Sequence, residues 1–155
     1  MKRLTPAEKR EIIKILRKKL GTDNLESLGY NRYAINESYK VAVEGGYTIF
    51  HKYKMVDEEG NMVFLENEYN GIFAFTRGVA IVCIRKNPQF INTDTGLKAT
   101  AERKDGLIDI NGKELLPCIY DSINVHLDGF TEITKDRQTK TTNINTIING
   151  EFEWE

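Results

Sequence analysis

Cys118, Asp121 and His126 lie near one another in the chain and carry the side-chain types of a nucleophile, an orienting carboxylate and a base. Hydrogen-bond geometry, and not proximity in sequence, makes such a trio work, so the expected reading is structural, with His126 turned to solvent. Two histidines, His51 and His126, and two cysteines, Cys83 and Cys118, lack the clustered spacing of a zinc site. Asp57, Glu58 and Glu59 share only their charge with a calcium loop, and a solvated turn is expected there. The chain has no glycine-rich phosphate loop, dinucleotide fingerprint, Gly-x-Ser-x-Gly elbow or His-Glu-x-x-His pair. The expectation is a protein without catalytic residues, bound metal or cofactor.

Charge is the stronger signal. Residues 1–20 hold eight Lys or Arg against two Glu, leaving 14 basic and 21 acidic residues in the rest of a chain whose net charge is −1. Lys9, Arg10, Lys14, Arg17 and Lys18 could contact nucleic-acid phosphate, an anionic membrane or an acidic partner. The competing reading is a solvated face opposite an apolar stripe docked on the protein's own sheet. Tyr30, Tyr33, Tyr39, Tyr47 and Tyr53 could form a recognition surface, although such residues more often build core and cross-strand pairs.

The elements that must position these residues change character along the chain. Thr5-Pro6-Ala7-Glu8 is a helix start: the Thr hydroxyl accepts from the third helical amide, Glu8 reaches back, and Pro6 needs no amide partner. Ile12, Ile13, Leu16 and Leu20 then follow one helical face and Gly21 ends it, which predicts an amphipathic helix over 6–20. Ile15 widens the apolar face. A short turn or helix is expected around Leu25 to Leu28, ended by Gly29. From Tyr39 the period becomes 2, predicting strands at 39–43, 47–53, 79–84, 97–101 and 120–125. Asn111-Gly112, Asp128-Gly129 and Asn149-Gly150 read as hairpin turns. The tail Glu151-Phe-Glu-Trp-Glu155 suits a final strand with Phe152 and Trp154 inward, or a strand that docks on a partner.

Length and a 40% hydrophobic, 29% charged composition fit a single domain spanning 1–155. No apolar run has signal-sequence or membrane-spanning length, and Cys83 sits in the apolar run Val79-Ala-Ile-Val-Cys-Ile84, so a cytoplasmic location is expected. Gly46, Gly60, Gly78, Gly96, Gly112, Gly129 and Gly150 recur every 14 to 21 residues, about two short strands with their turns. Gly46, Gly78 and Gly129 each precede a β-branched or aromatic run, which suggests a degenerate internal repeat.

The stretch Lys104-Asp-Gly106-Leu-Ile-Asp109-Ile-Asn-Gly112-Lys-Glu-Leu-Leu-Pro117-Cys-Ile-Tyr120-Asp121, followed by Asp128-Gly129-Phe-Thr-Glu-Ile, resembles one unit of the WG-repeat family. That unit lies at about 103–134, and a weaker copy at about 55–84 contains Asp57, Gly60, Tyr69 and Gly78. Asp105 stands where the family has Trp, and the only Trp is Trp154. The resemblance implies a mainly β meander of antiparallel hairpins, found in bacteria and phages, without known catalysis and serving interaction. The functional expectation is a protein-interaction or scaffold module behind one basic helix. Alternatives are a nucleic-acid-binding protein using that helix, a phage-encoded assembly or host-interaction factor, and a small enzyme or ligand-binding protein.

Overall fold

The computed structural model describes residues 3–155; Lys2, counted above among the basic residues, lies outside them. Helix α1 (Pro6–Leu20) is followed by β1 (Leu25–Gly29), β2 (Arg32–Val43), β3 (Gly46–Asp57), β4 (Met62–Val63), β5 (Gly71–Ile72), β6 (Val79–Thr93), β7 (Gly96–Asp109), β8 (Glu114–Tyr120), β9 (Ser122–Val125), β10 (Phe130–Lys135), β11 (Gln138–Asn143) and α2 (Ile144–Ile148). The fold is mainly β, and every strand pairing is antiparallel.

Three sheets result, ordered β1-β2-β3-β4, β5-β6-β7-β8 and β11-β10-β9. The first two repeat one plan: a short strand, two long strands, then a short strand. In the first, β2 and β3 pair without a break from Arg32↔Asp57 to Val43↔Gly46. In the second, β6 and β7 pair from Val79↔Asp109 to Thr93↔Gly96, with a register shift between Lys86 and Gln89. The shift falls at Asn87, whose φ is 51°, and Pro88, which has no amide to give to a ladder.

Turns follow the same duplication. Asp57 Oδ1 accepts from the amides of Glu59 and Asn61, while the Gly60 amide donates to the Asp57 carbonyl. Asp109 Oδ1 accepts from Asn111 and Lys113, and the Gly112 amide donates to the Asp109 carbonyl. The backbone of His126 to Phe130 bonds in the same way around Gly129, with Asp128 Oδ1 capping the Phe130 amide. Tyr30-Asn31, Arg77-Gly78 and Asp136-Arg137 form the other class, two-residue turns with both φ values positive.

Leu28, Ala34, Met55, Tyr69, Ile72, Phe75, Ala80, Val82 and Ile108 fill the core between the two larger sheets. A second cluster joins Val79, Leu107, Leu116 and Tyr120 to Ile123 and Ile133 of the third sheet and to Ile144 and Ile147 of α2. A third seats α1: Leu16 is buried against Leu25, Tyr33, Ile35 and Val56, flanked by Ile12, Ile13 and Leu20.

Several expectations are corrected. Residues 25–29 form β1 and not a turn or helix, because Leu25 and Leu28 are buried in two different clusters while Glu26 and Ser27 are exposed. The run 120–125 is divided at Asp121 between two sheets. Asn149-Gly150 closes α2 instead of a hairpin, since Asn143 caps the Asn145 amide and starts a helical turn. The tail after Gly150 is irregular, with no partner strand among the described residues, although Phe152 and Trp154 do pack on the second cluster. Ile15 is 55% exposed and takes no part in the docked face.

Gly112 must lack a side chain. A Cβ there would lie 2.1 Å from the Phe64 carbonyl oxygen, and its φ is +81°. Gly112→Ala is expected to cost about 3 kcal/mol, against about 1 kcal/mol for Gly96→Ala, which has positive φ but open space. Urea unfolding of both variants measures the difference.

Candidate functional site

The five cations singled out in the sequence sit on α1, and the chain holds that helix firmly. Thr5 and Glu8 complete the capping box, with Thr5 Oγ1 accepting from the Glu8 amide at 3.1 Å. Gly21, at φ 65°, terminates the helix, and its amide bonds the Arg17 carbonyl. At the C-terminal end Lys19 Nζ donates to the Glu59 carbonyl, and Gly60 lies against Leu16 and Lys19. The docked side thus rests on β1, β2 and the β3–β4 turn, leaving the opposite side to water.

Lys9, Arg10, Lys14, Arg17 and Lys18 are all exposed, and none takes part in an ion pair among the described residues. Four of them converge. Arg10, Lys14, Arg17 and Lys18 line one shallow groove of about 690 Å³ with Ile13 and Asp23. Lys9 lies apart, in a second groove of about 570 Å³ with Arg3, Leu4, Tyr30 and Tyr33 at the β1–β2 turn. Three of the last turn's side chains, Arg17, Lys18 and Lys19, are basic, which complements the partial negative charge of a helix C-terminus.

The five tyrosines do not share a surface. Tyr33 is 2% exposed, Tyr53 packs on the central core, and Tyr39 meets Phe50 edge-on at 6.1 Å. Tyr30 and Tyr47 are exposed on different elements; Lys40 Nζ lies 4.5 Å from the Tyr47 ring centre. A feature the sequence reading missed is the groove of about 570 Å³ beside β4, where Met62 and Phe64 are 59% and 80% exposed near Lys52 and Lys54. Its signal was the apolar run Met62-Val-Phe-Leu65, which has no helical or alternating period.

Cys118, Asp121 and His126 are each engaged elsewhere. Burial pushes the Cys118 thiol up to about 12. Asp121 forms an ion pair with Lys104 and accepts the Asp136 amide at 3.0 Å. The Lys104 hydrogen bond, together with that amide, holds the Asp121 carboxyl below its ordinary range. His126 Nε2 lies 2.6 Å from Glu132 Oε1, and its ring stacks near Phe130. Among the described residues, no three His, Cys, Asp or Glu side chains converge as a metal set would.

The repeat residues instead show what the pattern is for. Gly106 lets β8 cross close by: a Cβ would meet the Leu116 carbonyl oxygen at 2.6 Å. Asp105 beside it is 4% exposed and is paired with Arg103, whose Nε lies 2.7 Å away. Asp109 and Gly112 build the β7–β8 turn, Pro117 is exposed on β8, and Tyr120 is buried with its ring 5.7 Å from that of Trp154. Asp121 then reaches the β10–β11 turn through the Asp136 amide, and Gly129 opens β10. Gly60 and Gly78 lie in the β3–β4 and β5–β6 turns, and Gly96 begins β7.

Residues 106–135 match the family model of the WG containing repeat. This WG-type unit runs from the second half of β7 to the end of β10, and so spans two sheets. It coincides with the unit read from the sequence at 103–134; the copy at 55–84 lies outside the match and shares with it the Asp-turn geometry. No curated protein and no solved structure matches the chain.

Alkylation checks the thiol. With its pKa near 12, Cys118 in the native protein is expected to react with iodoacetamide at pH 8 on the order of a thousandfold more slowly than in urea. Mass-resolved labelling of the two cysteines reads this directly.

Proposed function

We propose that the protein is a non-catalytic, cytoplasmic interaction module of the WG-repeat type that engages an acidic segment of another protein through α1. One observation carries the reading: four cations, Arg10, Lys14, Arg17 and Lys18, line one groove on a helix locked to a β scaffold, without ion-pair partners among the described residues. Charges left unpaired at one place attract an anionic surface and steer its approach. The groove also has an apolar floor in Ile13, which an acidic peptide with an apolar side chain can use and a phosphate backbone cannot.

Nucleic acid is the second reading, supported by the same cations. The rest of the chain, with 14 basic and 21 acidic residues, repels an extended polyanion, which favours a short acidic segment.

The test compares the native chain with a Lys14→Glu, Arg17→Glu, Lys18→Glu variant in affinity capture from lysate with and without nuclease treatment. All three positions are exposed, so the variant is expected to fold. A protein bound by the native chain, and bound at least about tenfold more weakly by the variant and at high salt, is the expected result. Binding indifferent to the reversal sinks the proposal, and binding abolished by nuclease transfers it to nucleic acid.

A further inference from the structure

The long β6–β7 hairpin extends past its neighbours. β8 pairs with β7 only between Asp105 and Ile108, so the outer side of Gly96 to Glu102 carries no strand among the described residues. Leu97 is 72% exposed, and Lys98, Ala99 and Glu102 are exposed with it. An open edge of this length presents a row of unpaired amides and carbonyls that can accept another strand.

Which strand fits is decided by register and charge. The two-residue turn between Thr93 and Gly96 makes that pair the bonded one, so Leu97, Ala99 and Ala101 turn their amides and carbonyls outward. Two identical antiparallel edges can meet only with residues of the same direction opposite each other, so a two-fold axis must fall on a residue position. With the axis at Thr100, Ala99 faces Ala101 and Lys98 faces Glu102, twice by symmetry. At Ala101, Lys98 would face Lys104; at Ala99 it would face Thr100. The same exercise on the outer edge of β2 sets Lys40 against Asn36, Ser38, Ala42 or itself, and no register there is complementary.

We propose that two copies of this chain pair through the open edge of β7, antiparallel about Thr100, so that Lys98 of each meets Glu102 of the other. Lys98 is in no ion pair among the described residues, and Glu102 accepts only the Asn87 side-chain amide at 3.1 Å. Charged residues on an edge usually prevent pairing; here their spacing permits one register and penalises the next. Directly opposite charged pairs stabilise antiparallel strands and like charges destabilise them. The surface is separate from α1, so the proposal stands or falls without the one above.

The experiment is sedimentation equilibrium on the full chain, comparing the native protein with Lys98→Glu, Glu102→Lys and the two combined. The native chain is expected to dimerise, each single reversal to weaken the dimer about tenfold or more, and the double exchange to restore it. A native chain that stays monomeric overturns the proposal. So does a dimer that survives both single reversals, or one that the double exchange fails to rescue.

Discussion

The two larger sheets share one apolar core, and closing on it requires that the polar edge between β3 and β6 be satisfied, which Asn70 does. Its side-chain amide donates to the His51 carbonyl at 2.9 Å and to the Tyr39 hydroxyl at 3.1 Å, while its carbonyl oxygen accepts the Arg85 amide at 2.8 Å. The backbone on either side continues the stitch: the Tyr53 amide donates to the Tyr69 carbonyl, the Asn70 amide to Cys83 and the Phe73 amide to Ile81. The segment 69–73 thus acts as a strand to both hairpins, and the Phe75 amide extends the link to Leu28 in β1. Tyr69, wholly buried in the core, donates to Glu114 at 2.5 Å and so ties this seam to β8. Polar groups drawn between packed sheets are stable there only when they are paired, and no described buried side-chain nitrogen or oxygen is left without a partner.

That seam accounts for how the repeat works. Each of the two larger sheets ends at an Asp turn that reads the same in hydrogen bonds, and the third sheet is attached by Asp121. Lys104 on β7 and the Asp136 amide both bind that carboxylate, so the residue between β8 and β9 also fixes the β10–β11 turn. Asp121 is exposed, and its hydrogen bonds to Lys104 and the Asp136 amide hold its pKa below the ordinary value. Its contribution is therefore present above the usual carboxylate range and fades as pH falls through the lowered value. The Tyr-Asp pair of the WG-type unit is in this sense a joint, with Tyr120 buried beneath and Asp121 reaching forward.

Much of this was legible. Helix α1 could be bounded from Thr5-Pro6, Glu8 and Gly21 because capping chemistry is local, and the unit at 103–134 could be read because its turn residues have fixed offsets. The misreadings share one cause, which is that tertiary contacts overrode local pattern. Leu25 and Leu28 are three apart, as in a helix turn, yet each is claimed by a different core cluster. Asn149-Gly150 has hairpin composition, but Ile144 and Ile147 are drawn into the second cluster at helical spacing. The strands β6 and β7 are longer than their alternation shows: β6 continues past Ile84 through charged and polar residues, and β7 continues past Ala101 through Glu102, Arg103, Lys104 and Asp105, which break the period. Asn70 could not be singled out at all, since nothing in a sequence tells which asparagine will find three partners.

The interior fixes the protonation of the ionisable groups it encloses. Burial pushes the hydroxyls of Tyr33, Tyr53, Tyr69 and Tyr120 and the thiols of Cys83 and Cys118 above their ordinary values, toward their neutral forms. Asp105 is the buried carboxylate; it is paired with Arg103, whose side chain stays partly exposed, and it drives the arginine further toward its cationic form even though desolvation opposes it. Hydroxyls and thiols shifted upward in this way keep their protons at pH 7. The surface, by contrast, carries charge held at fixed positions on rigid elements. The cations of α1 and the alternating charges of the β7 edge are of that kind, because the same seam and turns that use up the interior polar groups keep both surfaces in place.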